Sequence, residues 1–216
     1  MFTLISALLS VVLGQDCFAQ TTTVSPVPSR ISAELGWRHL AGTGGGAWGE
    51  GTALRANVDW GSARAYTIQV SYGLSLHRLV DPLPLFSEPP TVTDWTGGLR
   101  MHSVHLGTRF RPEQILGDNP FLGLWLGSGV GLCVTEAQLT TLSRPDLVVD
   151  RVHVQPDFEM ALGVDLKLSA LNLSPLVRVT ALPSFRKELG SDAVEGHMLT
   201  SVSVGAQLGW NPLTSQ

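Results

Sequence analysis

Residues 64–79 alternate between apolar and polar side chains with the two-residue period of a β-strand. One face carries Tyr66, Ile68, Val70, Tyr72, Leu74 and Leu76, and the other carries Thr67, Gln69, Ser71, Gly73, Ser75 and His77. A strand of a soluble protein usually has about 5–6 residues. A strand that crosses a bilayer obliquely needs about 9–11 residues, with its apolar face toward lipid. The length and regularity of this run therefore predict a strand of a membrane β-barrel.

Seven other stretches show the same alternation, and an even number of strands is typical of bacterial outer-membrane barrels. The eight runs lie near residues 30–40, 52–60, 64–79, 98–110, 119–137, 151–168, 171–182 and 197–210. The run at 98–110 is the weakest, because His102 and Thr108 share the face of its apolar residues. We predict an all-β fold, an eight-stranded antiparallel up-and-down transmembrane β-barrel that covers residues 30–210.

The segments between these runs alternate in predicted length. The long ones cover about 41–51, 80–97, 138–150 and 183–196, and the shorter ones cover 61–63, 111–118 and 169–170. Outer-membrane barrels have long external loops and short periplasmic turns, so this order predicts both chain ends on the short-turn side. Aromatic residues cluster near that side, as in an interfacial girdle or, alternatively, in the packing of a soluble barrel. They are Trp60, Tyr66, Phe110, Phe121 and Trp210.

Prolines and loop aromatics add expectations about irregular positions. Pro156 and Pro175 lack a donor for the strand ladder, so each is expected to mark a bulge or a strand end. Trp48, Phe86 and Trp95 fall in the long segments beside charged residues. Exposed aromatic side chains there could anchor an extracellular ligand, although ordinary loop composition is the simpler explanation.

The N-terminus has the pattern of a secretory signal peptide. An apolar stretch precedes Cys17-Phe18-Ala19, which resembles a small-x-small cleavage site, and no Lys or Arg precedes that stretch. We expect a signal peptide at 1–19, a short polar lead at 20–29 and a tail at 211–216. Cleavage would leave Cys133 as the single cysteine, which excludes an intramolecular disulfide.

Composition supports a membrane barrel and argues against other classes. The 216 residues suit one domain, and charged residues make up only 15%. Beyond the N-terminus, no window has the roughly 18–20 uninterrupted apolar residues of a membrane helix. The net charge of −4 and the lack of a long basic stretch argue against nucleic-acid binding.

The last run ends in Ser203-Val204-Gly205-Ala206-Gln207-Leu208-Gly209-Trp210. Its spacing of polar, glycine, apolar and aromatic residues resembles the terminal-strand assembly signal of outer-membrane barrels, carried here by Ser203, Gly205, Leu208 and Trp210. With its strand count and loop order, the chain resembles the OmpA transmembrane-domain and OmpX type. This resemblance implies outer-membrane lipid around the barrel, recognition by the barrel-assembly machinery, and location in the bacterial outer membrane.

Charged residues on the polar faces are expected to point into the lumen. They are Glu34, Arg38, Arg55, Asp59, Arg109, Asp157, Glu159, Asp165, Lys167 and Arg178. An eight-stranded barrel is only wide enough for side chains to fill it, and buried charges require partners. We therefore expect a paired polar network that closes the lumen, with a narrow ion or proton path as the alternative. Lumen glycines, Gly123, Gly127, Gly129 and Gly131, are expected to leave room for bulky neighbours.

The sequence shows no convincing catalytic or metal site, so we expect no cofactor, no metal and no enzymatic activity. His102 and His105 would lie on opposite faces of a strand. His102 with Ser103, and His197 with Ser201, are the nearest approach to the serine–histidine pairs of lipid-modifying barrels. We predict a monomer with a structural or surface-interaction role, such as envelope integrity or adhesion. Alternatives are a narrow channel, a lipid-modifying enzyme and a soluble periplasmic lipid-binding barrel.

Overall fold

Eight antiparallel strands form a closed barrel, which confirms the predicted fold class and strand count. The computed structural model describes residues 28–41, 48–61, 65–80, 95–112, 121–143, 146, 148–183 and 199–211. The strands are β1 (Arg30–Ala41), β2 (Gly51–Trp60), β3 (Tyr66–Arg78), β4 (Trp95–Phe110), β5 (Leu122–Thr141), β6 (Val148–Leu168), β7 (Leu171–Leu182) and β8 (Leu199–Trp210). The predicted signal peptide and most of the polar lead and tail lie outside the described residues.

Each strand pairs with the next along the chain, and β1 pairs with β8 to close the barrel. At this closure Ile31 lies opposite Trp210, so both chain ends leave from the same side. We call this side the terminal end and the opposite side the loop end. Within the described part of the chain, no helix is long and apolar enough to cross a membrane.

The barrel is apolar outside and polar inside, as the alternation predicts. On β3, Tyr66 and Ile68 are 56% and 48% exposed, whereas Thr67 and Gln69 are 4% and 8% exposed. The same pattern holds on β7, where every second residue from Asn172 to Thr180 is buried. Because the exposed positions are mostly Leu, Val and Ile, the outer wall is a band of apolar surface of the kind that lipid covers.

The predicted girdle aromatics all lie at the terminal end. Tyr66 and Phe110 stack across β3 and β4 with ring centroids 4.7 Å apart. Phe121 and Trp210 are exposed, and Trp60 is half-buried. Such rings at one rim of the apolar band match the interfacial position that Trp and Tyr favour in membranes.

The predicted alternation of long and short connections is wrong at one hairpin. β5 and β6 continue to Thr141 and Val148, so segment 142–147 is shorter than segment 111–121. The reason is that near the loop end of β5 the outward residues become polar and the inward residues become apolar, while the alternation of faces continues. There the polar Gln138 points outward and the apolar Leu139 points inward, a reversal that resembles a loop when apolar-out alternation is the criterion.

The expectation for the two prolines is also wrong, since both lie inside strands without a change of register. Pro156 pairs with Leu132 of β5 and lies just beyond the last pair between β6 and β7. No β7 partner therefore needs its missing N–H group. Pro175 lies where the β6–β7 ladder is interrupted, and the pairs on either side keep the same register.

Trp48 does not have the exposed position expected of a loop aromatic. It is 1% exposed and belongs to an apolar cluster inside the loop end of the barrel, which we call the apolar cap. The cap consists of Leu40, Trp48, Leu99, Met101, Cys133, Ala137, Leu139, Leu182 and Leu199. This cluster lies inside the barrel on the loop side of the charged lumen. Trp95 begins β4, and Phe86 lies outside the described residues.

Candidate functional site

The lumen beneath the apolar cap holds equal numbers of buried positive and negative side chains. Among the described residues, the buried charged groups are Arg30, Arg38, Arg55, Arg109, Arg178, Glu34, Asp59, Asp157, Glu159 and Asp165. They project from inward positions of several different strands, so the period of two places all of them on one side of the sheet. Five guanidinium and five carboxylate groups balance within the described part of the barrel.

Nearest the terminal end, Arg30 and Asp165 form a buried ion pair. Arg30 Nη1 lies 2.8 Å from Asp165 Oδ2, and its Nη2 donates a 3.0 Å hydrogen bond to Ser174 Oγ. The Ser174 hydroxyl in turn donates to the same carboxylate. Lys167 is half-buried at this end, and Arg111 approaches Asp165 at 3.9 Å. This layer links β1, β6 and β7 across the lumen.

The next layer is built around Arg109 and Trp125. Arg109 Nη1 lies 3.3 Å from Asp59 Oδ2, and Nη2 donates a 2.8 Å hydrogen bond to Gln207. The guanidinium stands 4.1 Å from the centre of the Trp125 ring, an arrangement that favours cation–π attraction. Trp125 covers Gly163, where any side chain would collide with the indole ring. The glycine thus gives the ring the space to fill the barrel.

The central layer is a chain of alternating charges. Arg178 lies 2.7 Å from Glu34 and 3.0 Å from Glu159, while Arg55 lies 2.5 Å from Glu159. Arg178 therefore joins carboxylates from β1 and β6, and Glu159 joins two arginines. Removing one member of such a buried network leaves its partner charged and unpaired, which typically costs about 3–5 kcal/mol.

His105 extends the central layer to Asp157. Its Nδ1 lies 2.5 Å from Arg55 Nη2 and its Nε2 lies 2.6 Å from Asp157 Oδ1. Since the guanidinium can only donate, Nδ1 accepts from Arg55. The Nε2 contact with Asp157 is a close approach without hydrogen-bond geometry. Gly131 makes this possible, because a side chain there would lie within 3 Å of both His105 and Asp157. This fits the expectation that lumen glycines leave room for bulky neighbours.

Arg38 differs from the other buried arginines because no described carboxylate pairs with it. Its Nε donates to Ser201 at 2.8 Å and its Nη1 donates to Ser75 at 3.3 Å. A small cavity of about 30 Å³ adjoins it and is lined also by Arg55, Arg178 and Ser203. In the lumen as well, both amide atoms of Gln155 lack a protein partner among the described residues. Among the described buried arginines, the one without a carboxylate partner thus lies toward the loop end.

Of the ten predicted lumen residues, nine are buried inside the barrel and Lys167 is half-buried at its terminal end. Sequence reasoning missed Arg30 and His105. The alternation indicated an inward position for both. Arg30 lies on the same strand face as Ser32 and Glu34, and His105 lies between two outward apolar residues. Arg30 was missed because it begins its strand, and His105 because the run at 98–110 is irregular.

The serine–histidine pairs considered from sequence do not assemble. His102 faces outward, where its Nδ1 lies 2.8 Å from the Tyr72 hydroxyl, whereas Ser103 is buried in the lumen. Ser201 accepts from Arg38, and His197 lies outside the described residues. Among the residues that the structure describes, no group of three His, Cys, Asp or Glu side chains could hold a metal ion.

The predicted assembly segment forms the β8 side of the closure. Ser203 is buried, whereas Leu208 and Trp210 are 54% and 46% exposed. Gly205 lies opposite Gly36 of β1. A Cβ at Gly205 would come within 2.5 Å of the Leu35 carbonyl oxygen, so glycine lets the two strands approach closely where the barrel closes.

The comparisons with known proteins support the fold. No protein-family model and no curated protein matches the chain. Neisserial surface protein A (NspA) is similar at a TM-score of 0.57 with 10% identity, over 84% of this chain and 96% of that one. A major outer membrane protein from Thermus thermophilus is similar at 0.52 with 14% identity, over 84% and 99%. OprG from Pseudomonas aeruginosa is similar at 0.51 with 9% identity, over 85% and 97%. The chain has the fold of the eight-stranded outer-membrane β-barrels.

Proposed function

We propose that this protein is a monomeric, non-enzymatic outer-membrane β-barrel with a filled lumen and a structural or surface-interaction role, such as envelope integrity or adhesion. The observation that carries the proposal is the contrast between the two sides of the wall. The outside is an apolar band, and the inside holds balanced charges, most of them in ion pairs, beneath an apolar cap. A barrel of this kind anchors its loops in a membrane without needing a transport path.

The proposal implies three kinds of partner. Lipid covers the apolar band, because exposed Leu, Val and Ile on every strand would be unfavourable in water. The barrel-assembly machinery recognises β8, which presents Leu208 and Trp210 on the outer wall. An extracellular ligand contacts the connections at the loop end.

A narrow path for ions or protons is the second candidate, and a specific observation favours it. The cavity beside Arg38 and the unpartnered amide of Gln155 both lie in the lumen, where polar groups could hold water or a small ion. Against this, the buried apolar cap occupies the interior at the loop end, and Trp125 and Arg109 occupy the interior nearer the terminal end.

Conductance in planar lipid bilayers separates the two candidates. The filled-lumen proposal predicts that inserted protein shows little steady conductance, because ion pairs and Trp125 occupy the cross-section. Resistance of the inserted barrel to added protease serves as the control for insertion. A large, stable and reproducible conductance of the unaltered protein would reject the filled lumen and support the channel.

A further inference from the structure

The outer wall carries charges of both signs in one sector near the loop end. Arg78 on β3 and Arg100 on β4 are the outward-facing arginines of the strands, among side chains that the structure describes. On β5 and β6 the outward apolar runs end at Glu136 and Asp150. The corresponding outward positions of β1, β2, β7 and β8 hold His39, Thr52, Ala181 and Thr200. Among the described residues of the strands, the outward-facing charges near this rim thus lie on β3, β4, β5 and β6.

These side chains surround a cleft of about 530 Å³ on the outside of the barrel. Arg78 pairs in register with Gly98, and Gly98 pairs with Gln138. Gly98 faces outward, and a Cβ added there would meet only the His77 carbonyl oxygen at 3.2 Å, with open space beyond. The missing side chain at Gly98 therefore forms the floor of the cleft.

The charges that line the cleft are available to a ligand. Arg100 lies opposite Glu136 in register, yet neither forms an ion pair with a described residue, and the same is true of Arg78 and Asp150. Guanidinium groups match the geometry of phosphate oxygens, because each offers two parallel donors. The carboxylates offer acceptors to an ammonium group. Two arginines on one side and two carboxylates on the other complement a headgroup of mixed charge.

We propose that this cleft binds the headgroup of a membrane lipid that carries both a phosphate and a primary ammonium group, as phosphoethanolamine does. The phosphate contacts Arg78 and Arg100, and the ammonium contacts Glu136 and Asp150. This inference rests on the proposed function, because the cleft borders the apolar band that lipid covers. Leu76 lies both in the band and in the wall of the cleft, so acyl chains can run down the wall beneath a bound headgroup.

Lipid titration followed by native mass spectrometry tests the proposal on the purified, folded barrel. The probes are phosphatidylethanolamine, phosphatidylglycerol, which has phosphate without an amine, and phosphatidylcholine, whose quaternary ammonium has no N–H donor. Because an additional exposed charge pair contributes modestly, we expect the first lipid to bind about fivefold more tightly than the other two. Arg78→Gln with Arg100→Gln should abolish this preference.

Two further variants separate cleft binding from general charge effects. Gly98→Leu fills the floor without changing charge, and its backbone conformation does not require glycine, so it should fold and lose the preference. Arg111→Gln removes the same charge at the terminal end and should keep the preference. Equal binding of the three lipids, or a preference that survives Gly98→Leu, would overturn the inference. Failure of the chain to enter bilayers at all would instead contradict the proposed function.

Discussion

At the scale of single residues, Arg178 is the arginine that links two carboxylates in the centre of the lumen. It is buried and joins Glu34 on β1 to Glu159 on β6 at 2.7 and 3.0 Å. Arg178→Ala would leave Glu34 unpaired and Glu159 with one arginine fewer. We expect the free energy of unfolding in liposomes to fall by about 3–5 kcal/mol, as measured by urea titration.

A double-substitution cycle checks that the loss comes from the ion pair. Arg178→Ala combined with Glu34→Ala should cost less than the sum of the two single substitutions, because the second removes a charge that the first left unpaired. Strict additivity would show that the two side chains do not interact. It would contradict the central layer described here.

The residue scale also shows what alternation alone can predict. Inward parity was sufficient to place Arg55, Asp157 and Arg178 in the lumen, because strand geometry dictates the side of the wall. It could not predict that Arg178 pairs with Glu34 rather than with another carboxylate. Partners come from strands far apart in sequence, so their contacts depend on the shear of the closed barrel, which the pattern of one strand does not contain.

At the scale of elements, β6 allows a direct test of which face contacts lipid. Leu162 is exposed on the outer wall and Gln155 is buried in the lumen, on the same strand. Arginine on the lipid face near the bilayer midplane costs about 2–4 kcal/mol. Leu162→Arg should therefore reduce folding yield in liposomes far more than Gln155→Arg. Equal yields for the two variants would show that the assigned faces are wrong.

The closing strand β8 carries the predicted assembly information. Leu208→Ala with Trp210→Ala removes the apolar and aromatic side chains from its outer face, so we expect slower insertion in cells and unfolded chain in the periplasm. Deletion of 212–216 serves as the control and should have little effect, because β8 ends at Trp210. If the deletion blocked assembly and the double substitution did not, the signal would lie beyond β8.

The sequence predicted strand bounds well where the outward residues are apolar. It predicted them less well where a strand continues past the apolar band. β7 matches its predicted range at both ends, whereas β5 and β6 reach farther toward the loop end than their alternation indicated. There the outward residues turn polar and Leu139 points into the apolar cap. The strand continues because its backbone groups still pair, which hydropathy does not report.

At the scale of the whole molecule, the fold follows from sequence more directly than the biological role does. Eight alternating runs with an even count specify a closed barrel, since closure leaves no unpaired edge in lipid. The same barrel can serve many roles, which depend on particular sites and on the loops. The cleft at Gly98 illustrates this. Its floor and its four charged residues come from separate strands, so they form one site only when the strands pair in register.

Membrane fractionation of cells that produce the full chain tests the central claim most directly. After separation of the two membranes, the protein should be found in the outer-membrane fraction. It should resist extraction with alkaline carbonate, because its apolar band is covered by lipid rather than adsorbed to the surface. Recovery of folded, full-length protein in the soluble periplasmic fraction would contradict the account.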